Sequence, residues 1–229
     1  METIRLKNVS GVYLCSMFTE QQEKWLKRVE ELFFKLGIKS LTMDDVAREL
    51  GISKKTLYAF VESKDDLVSK VMDRHMMSQC KVDEALHAES TDAVDEMVRV
   101  FRQIMAEFGQ MKPNVVYEMQ KYHREVWDRI NDFQQGYILN IARQNLEWGR
   151  RDGLYRPDFD IETTARFYIA GAMSIFEEQY FPKPPYTFEG LFREFITNYL
   201  YSIVSEEGLV ILKEKLKTGA NTLPPNTGA

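Results

Sequence analysis

Helix caps follow one another closely in the first third of the chain and divide it into short helices. Thr42 and Ser63 are each followed three residues later by an aspartate, which is the capping-box pattern of a helix N-terminus. Ser53 is a further N-cap residue, while Gly37 and Gly51 supply the permissive backbone that helix ends and sharp turns require. The spacing predicts a helix ending at Gly37, two short helices after Thr42 and Ser53, and a longer one after Ser63.

Helical periodicity continues through the rest of the chain, and no segment shows the sustained alternation of apolar and polar residues that is typical of a strand. Val94, Val98 and Phe101 lie on one continuous apolar stripe, which Pro113 ends. The strongest helices of this part are predicted over residues 94–108, 124–151, 161–176 and 188–204. The predicted fold class is therefore all-α, with about nine helices.

Composition narrows the possible classes of protein. The chain has 229 residues, of which 44% are apolar, so it can bury the core of one large or two small domains. Cys15 and Cys80 form no disulfide framework and no metal-ligand spacing, which fits a reducing compartment. No uncharged apolar run approaches the ~18 residues of a membrane span. We expect a cytoplasmic protein without membrane association.

The net charge of −5 hides a local basic edge. Between residues 53 and 64, Lys54, Lys55 and Lys64 stand against Glu62 alone. An acidic protein with such an edge can still bind a polyanion, because the electrostatic field at the contact decides binding.

The short helices and the basic edge together match the helix-turn-helix arrangement. In that arrangement the second helix enters the major groove of DNA with its N-terminal residues towards the bases. Lysines there neutralise phosphates or donate to guanine, and Thr56 can donate, accept or contact a thymine methyl group. A helical hairpin with a solvated basic end is the alternative, because such hairpins are common in all-α proteins.

Residues 41–71, "LTMDDVARELGISKKTLYAFVESKDDLVSKV", resemble the DNA-binding segment of the TetR family of bacterial transcriptional regulators. Residues 149–165, "GRRDGLYRPDFDIETTA", are similar to a common junction in that family. The resemblance implies that Lys54, Lys55, Thr56, Tyr58 and Ala59 occupy base-contacting positions and that Thr42, Tyr58 and Lys64 hold phosphates. The predicted DNA-binding residues are Thr42, Ser53, Lys54, Lys55, Thr56, Tyr58, Ala59 and Lys64.

One part of the segment departs from the family pattern. An aromatic pair commonly follows the tyrosine after one residue, but Phe60 and Val61 stand there, and Ala59 replaces a frequent histidine. We therefore expect Phe60 to pack in the core rather than to contact phosphate.

The resemblance also implies a domain organisation. An N-terminal helix-turn-helix DNA-binding domain would be followed by an α-helical ligand-binding and dimerisation domain. The predicted segments are an N-terminal extension over residues 1–18, the DNA-binding domain over 19–66, the second domain over 67–217 and a disordered tail over 218–229. Met17 is an alternative translation start, because residues 1–16 match nothing in the family.

TetR-like proteins are dimers that pair their last two helices, and residues 161–176 carry apolar or small side chains on two faces. A monomeric core helix would show the same pattern. The predicted interface residues are Phe167, Ala170, Gly171, Ser174, Phe192, Phe195 and Tyr199.

Aromatic, methionine and polar residues between 97 and 138 could line a ligand cavity, although ordinary core is the alternative for each. The predicted pocket residues are Met97, Phe101, Met105, Phe108, Tyr117, Tyr122, His123, Trp127, Gln134 and Tyr137. His75 and His87 are expected on the surface of the connecting helix.

An enzyme is the competing class. Glu84 and His87 have the Glu-x-x-His spacing of helical di-iron proteins, but no second pair follows. No nucleophile motif, phosphate loop or zinc spacing is present, so we predict no cofactor, no metal and no enzymatic activity.

The sequence therefore predicts a transcriptional regulator, a repressor in the family's usual mode, with activation left open. It would bind a palindromic operator as a homodimer and leave it when a small-molecule effector binds. The alternative is a helical small-molecule-binding or protein-interaction module without sequence-specific DNA binding.

Overall fold

The computed structural model describes residues 18–108, 111–112, 114–177, 179–182 and 185–217. These residues form α-helices and no β-strand, which confirms the predicted fold class. The helices are α1 (Glu20–Leu36), α2 (Met43–Glu49), α3 (Lys54–Phe60), α4 (Lys64–Glu89), α5 (Ala93–Phe108), α6 (Asn114–Tyr122), α7 (Arg124–Phe133), α8 (Leu139–Arg151), α9 (Ile161–Ser174), α10 (Phe188–Ile203) and α11 (Glu206–Lys217). A π-helical segment, Gln134–Ile138, joins α7 to α8, so one long helix spans 124–151 as predicted.

The predicted caps begin the short helices. The Thr42 hydroxyl accepts the Asp45 N–H at 3.2 Å, and the Asp45 carboxylate accepts the Thr42 N–H at 3.1 Å. The Ser53 hydroxyl accepts the N–H three residues later at 3.0 Å, and that of Ser63 does the same at 3.1 Å. Gly37 ends α1 at a φ of 92°. Each cap satisfies an N–H or C=O group that a helix end leaves without an intrahelical partner.

The N-terminal core joins α1, α2 and α3 to the beginning of α4. Leu26 and Val29 of α1, Leu57 of α3 and Val68 of α4 are fully buried in one apolar cluster. Val115 of α6 belongs to the same cluster. The predicted domain boundary at residue 66 stays a prediction. The first turns of α4, which follow that boundary, pack with α1, α2 and α3.

A second core gathers α5, α8, α9, α10 and α11. At its centre the Tyr155 hydroxyl lies 2.9 Å from Asn145 Oδ1 and 3.0 Å from the carbonyl oxygen of Ala93. The Asn145 amide in turn donates to Glu96 Oε2 at 2.6 Å. Because every member of this buried polar network is paired, it locks α5 and α8 in one relative position.

The helix α11 was not among the predicted elements. Ser205 begins it by accepting the Gly208 N–H at 3.1 Å, and Leu212 is fully buried against the second core. A serine followed by Glu206 and Glu207 is an N-terminal signal that sequence reasoning could have used. The tail over 218–229, the extension over 1–17, Met17 and Pro113 lie outside the described residues.

The contact between Gly208 and Leu154 makes a test of this architecture. A Cβ atom at Gly208 would lie 2.0 Å from the carbonyl oxygen of Leu154, which is main chain and cannot turn away. We expect Gly208→Ala to lower the free energy of unfolding by about 1–3 kcal/mol, measured by urea denaturation followed by circular dichroism.

The matched control is Gly136→Ala, because nothing lies within 4 Å of a Cβ built at Gly136. Alanine there should be neutral or stabilising by up to about 1 kcal/mol, since it is the better helix former. Equal losses in the two variants would contradict the close approach of α11 to the chain after α8.

Candidate functional site

The helix-turn-helix unit consists of α2, the turn at Gly51 and α3. Gly51 has a φ of 66° and open space around its Cβ position, so backbone conformation alone requires glycine there. The Ile52 N–H donates to the Ala47 carbonyl oxygen at 3.0 Å, and Leu57 anchors the inner face of α3. The outer face of α3 is thereby held out towards solvent.

The predicted DNA-binding residues on this outer face are exposed, but they differ in their contacts. Lys54 forms an ion pair of 2.5 Å with Asp44 of α2, and this hydrogen bond raises the pKa of the Lys54 ammonium. Thr56 Oγ1 lies 2.8 Å from the hydroxyl oxygen of Ser53. Lys55 makes no ion pair with a described residue, and Tyr58 is 49% exposed. Among these side chains, Lys55 is therefore the most available cation.

Lys64 has a structural partner that the sequence did not indicate. Its Nζ donates to the carbonyl oxygen of Leu41 at 2.6 Å, and burial lowers the pKa of the ammonium. The side chain thus ties the start of α4 to the residue before Thr42. A phosphate contact by Lys64 stays a prediction. Phe60 is partly buried, and its ring lies 6.1 Å from that of Trp25.

A cavity of about 200 Å³ is lined by residues of α1 and of α4 to α9. Four of the ten predicted pocket residues line it: Met97, Phe108, Trp127 and Gln134. The side chains around it are mostly apolar, as in ligand sites of known proteins.

The other six predicted pocket residues lie elsewhere. Tyr117 and Tyr122 are 45% and 48% exposed, so the prediction that they face a pocket is wrong for this cavity. Their rings instead lie under the ammonium of Lys121, at 5.2 Å and 5.5 Å. The face of α6 that lines the cavity carries Val116 and Met119. The periodicity of so short a helix does not show which of its faces the neighbouring helices cover.

The remaining four are held by contacts of their own. Phe101 stacks on Phe192 with ring centroids 5.9 Å apart, and Met105 packs against the second core. The Tyr137 hydroxyl donates to the Cys80 carbonyl oxygen at 3.3 Å, which holds the ring beside the cavity. His123 Nδ1 lies 3.0 Å from the Asp65 carboxylate.

His75 lines the cavity, so its expected surface position is wrong. Its Nδ1 lies 2.6 Å from Glu30 Oε1 and 3.4 Å from Glu107 Oε1. Burial lowers the pKa of the imidazolium, but the hydrogen bond with Glu30 and the charge of Glu107 outweigh it, so the pKa is raised overall. This ion pair joins α1, α4 and α5.

The same three residues could in principle hold a metal, since their ligand atoms lie within 4.8 Å of one another. However, the nitrogens of Arg74 contact Glu30 and also Glu23, at 3.1 Å in the latter case. The cluster is thus balanced by two basic side chains of the chain itself.

Two further carboxylates line the cavity. Glu96 accepts from Asn145 and lies 2.6 Å from His87 Nδ1. Asp83 has a buried Oδ2 atom with no hydrogen-bond partner among the described residues. Burial, together with the charges of Glu96 and Glu107, raises the pKa of the Asp83 carboxyl group to about 7.

His87 itself is 64% exposed, as expected, and Glu84 is also exposed. His87 Nδ1 pairs with Glu96 of α5 rather than with Glu84. The Glu-x-x-His spacing of Glu84 and His87 therefore does not form a shared ligand pair on α4.

The sequence model described as "Bacterial regulatory proteins, tetR family" matches residues 26–71, the segment that forms α1 to α3 and the start of α4. These residues are thus similar to the DNA-binding segment of TetR-family regulators. This similarity supports a DNA-binding transcription regulator. Within the described residues, no helix is long and apolar enough to cross a bilayer.

Two relatives and one solved structure illustrate what the chain is similar to. The uncharacterized HTH-type transcriptional regulator YvaF of Bacillus subtilis (strain 168) is 24% identical over 171 residues, covering 73% of this chain and 87% of YvaF. The HTH-type transcriptional repressor KstR2 of Mycolicibacterium smegmatis is 21% identical over 196 residues, covering 82% and 93%. A putative transcriptional regulator from Saccharomonospora viridis in complex with choline shares the fold, with a TM-score of 0.63, 18% identity and coverage of 81% and 98%.

The predicted dimer residues fall into three groups. Phe167 and Ala170 are exposed on α9, with Phe167 at 71%. Gly171, Ser174 and Phe195 are partly buried. Phe192 and Tyr199 lie in the core of the same chain, so the prediction that they form an exposed interface is wrong. Both α9 and α10 have two apolar faces, and the sequence alone does not distinguish the inner one.

Sequence reasoning missed the acidic groups of the cavity, although α4 carries a usable signal. Met72, Met76, Gln79 and Asp83 recur at intervals of four, three and four residues, and all four line the cavity. Polar residues that interrupt an apolar helical stripe indicate a buried polar site.

The buried Asp83 carboxyl group makes stability depend on pH. In unfolded chains an aspartate loses its proton near pH 3.9, but in the folded protein the pKa of the Asp83 carboxyl group is raised to about 7. The contribution of Asp83 to stability therefore falls as pH rises through this window and stays lowest above it. We expect Asp83→Asn to raise the free energy of unfolding by about 1–3 kcal/mol at pH 8 and by less at pH 5.

Urea denaturation at both pH values measures this difference. Glu84→Gln is the control, because Glu84 is the neighbouring acid on α4 and is exposed. Its effect should be small and equal at the two pH values. A loss of stability in Asp83→Asn at pH 8 would contradict an energetic cost of the charged Asp83 carboxylate.

Proposed function

We propose that this protein is a dimeric TetR-family repressor that binds a near-palindromic operator through α3 and leaves it when a small molecule occupies the cavity. The observation that carries the proposal is a direct connection: two helices that wall the cavity, α4 and α6, hydrogen-bond to the turn in front of the helix-turn-helix.

The connection through α6 is a buried carboxylate. Glu118 accepts the main-chain N–H of Lys39 at 2.8 Å and the side-chain amide of Asn114 at 2.6 Å. Val116 and Met119, on either side of it in sequence, line the cavity. A ligand that displaces α6 would therefore move the turn that precedes α2.

The connection through α4 also joins the cavity to the turn that precedes α2. Lys64 at its first turn holds the Leu41 carbonyl oxygen, while Met72, His75 and Met76 further along line the cavity. Because α4 is one continuous helix, a tilt at the cavity is transmitted to its N-terminus and so to α3.

The size of the effect follows from differential affinity. A ligand shifts a two-state equilibrium only by as much as it prefers one state, typically about 1–3 kcal/mol of coupling. If the ligand favours a spacing of the two α3 helices that misfits successive major grooves, DNA affinity falls by that factor. Coupling is reciprocal, so operator DNA weakens ligand binding equally.

Two similar proteins support repression and a small-molecule effector separately. KstR2 of Mycolicibacterium smegmatis is named a repressor, which supports repression as the mode. The regulator of Saccharomonospora viridis is in complex with choline, which supports a small molecule as the effector of this fold.

Lys55→Ala tests the DNA contact. Lys55 is exposed at the N-terminal end of α3 without an ion pair to a described residue, which supports a role as donor to a base edge. We expect this variant to weaken binding to a duplex selected by the wild-type protein by about 1–3 kcal/mol, in gel-shift titrations at fixed salt.

Lys213→Ala is the matched control, since it removes the same charge from the exposed face of α11, far along the chain from α3. Its affinity should equal that of the wild type. The selected duplex should contain two inverted half-sites. Failure of the folded protein to enrich any sequence would favour a ligand-binding module without sequence-specific DNA binding.

Phe167→Glu tests the dimer. Phe167 is the large apolar residue most exposed on α9, and a glutamate buried without a partner is costly. We expect light scattering to give a dimer for the wild type and a monomer for this variant. Gly171→Glu is unsuitable, because a Cβ there would lie 2.4 Å from the Phe195 ring of the same chain.

The control for the dimer is Val210→Glu, an equally charged change at a 66% exposed residue of α11. It should stay dimeric. A wild-type protein that is monomeric at micromolar concentration would contradict the proposal.

A further inference from the structure

We propose that the cavity takes a small organic monocation, an alkyl- or arylammonium compound, whose charge is held by the Asp83 carboxylate. This names the chemical class of the effector, so it rests on the proposed function of the cavity as the effector site.

The charges around the cavity favour a cation over an anion. Three carboxylates line it, those of Asp83, Glu96 and Glu107, against the single imidazole of His75. Within the described part of the chain, no lysine or arginine lines this cavity. A carboxylate or phosphate ligand would meet three like charges and only one basic group, an imidazole that already pairs with Glu30 and Glu107, which is costly at low dielectric.

The three carboxylates are not equivalent. Glu96 is satisfied by Asn145 and His87, and Glu107 lies beside His75. Asp83 keeps one buried oxygen without a hydrogen-bond partner among the described residues. A buried carboxylate oxygen without a donor is destabilising. Any ammonium group supplies the opposite charge, and one that carries an N–H also supplies the missing donor.

The apolar part of the wall suits the rest of such a molecule. Six aromatic rings line the cavity: Phe34, Phe108, Trp127, Phe133, Tyr168 and Phe176. Aromatic faces attract ammonium groups as well as apolar substituents, and the effect is strongest when water is excluded.

The volume limits the size of the ligand. An apolar cavity of about 150 Å³ binds benzene in a well-studied protein, and this cavity is slightly larger, at about 200 Å³. A single ring carrying a compact ammonium group matches that space, whereas a long acyl chain exceeds it.

Phenyltrimethylammonium is the probe, because its charge does not change with pH. Its neutral isostere is tert-butylbenzene, and benzoate is the anion of similar size. In titrations of the full-length protein at pH 8, followed by calorimetry or tryptophan fluorescence, we expect the cation to bind at least about tenfold more tightly than either comparison compound.

Asp83→Asn should weaken binding of phenyltrimethylammonium at least about tenfold and leave tert-butylbenzene binding within about threefold. Glu84→Gln, which removes an exposed acid one residue away, should change neither. Asp83→Glu keeps the charge and should retain the preference for the cation.

Binding of the neutral isostere or of benzoate as tight as that of the cation would overturn the proposal, as would unchanged cation binding in Asp83→Asn. If Asp83→Asn does not fold, the comparison of the three ligands on wild-type protein decides alone. Failure to bind the cation at all also counts against it.

The test separates this inference from the proposed function. Cation binding is measured without DNA, and release of the selected duplex by phenyltrimethylammonium is then measured by gel shift. Binding without release would leave the ligand class standing and contradict the effector mechanism. Release of the duplex by a different ligand, without binding of the cation, would support the effector mechanism and contradict the ligand class.

Discussion

The helix α4 is the constraint on which both halves of the molecule depend. It spans 26 residues, which is about 39 Å at the usual rise per residue. Its first turns bury Leu67, Val68 and Val71 with the DNA-binding helices, and its middle lines the cavity through Met72 and Met76. Because one rigid element belongs to two packing environments, neither can shift without the other responding.

The turn before the helix-turn-helix is held from two sides by buried or half-buried charges. Glu118 of α6 binds the Lys39 N–H, and Lys64 of α4 binds the Leu41 carbonyl oxygen. Such contacts are strong because water competes little there, and they are directional, so small displacements weaken them steeply. A packed apolar contact at the same place would tolerate more sliding.

The cavity wall contains a buried polar atom without a hydrogen-bond partner among the described residues, which is energetically unfavourable. The polar network of Tyr155, Asn145 and Glu96 is fully paired, as buried polar groups usually are. Asp83, which lines the same cavity as Glu96 and Asn145, keeps one buried oxygen without a partner among the described residues, and burial raises its pKa to about 7. Unsatisfied groups concentrate at binding sites, because the ligand supplies the missing partner.

The sequence by itself determined the features that depend on near neighbours in the chain: the caps at Thr42, Ser53 and Ser63, the all-α class and the similarity of residues 26–71 to the TetR family. Only the tertiary structure decided which face of a two-sided apolar helix is inner, and so placed Tyr199 in the core and Phe167 outside. It also brought His75, Glu30 and Glu107 together from three helices. Capping acts over three or four residues, whereas burial and charge pairing depend on segments far apart in the chain.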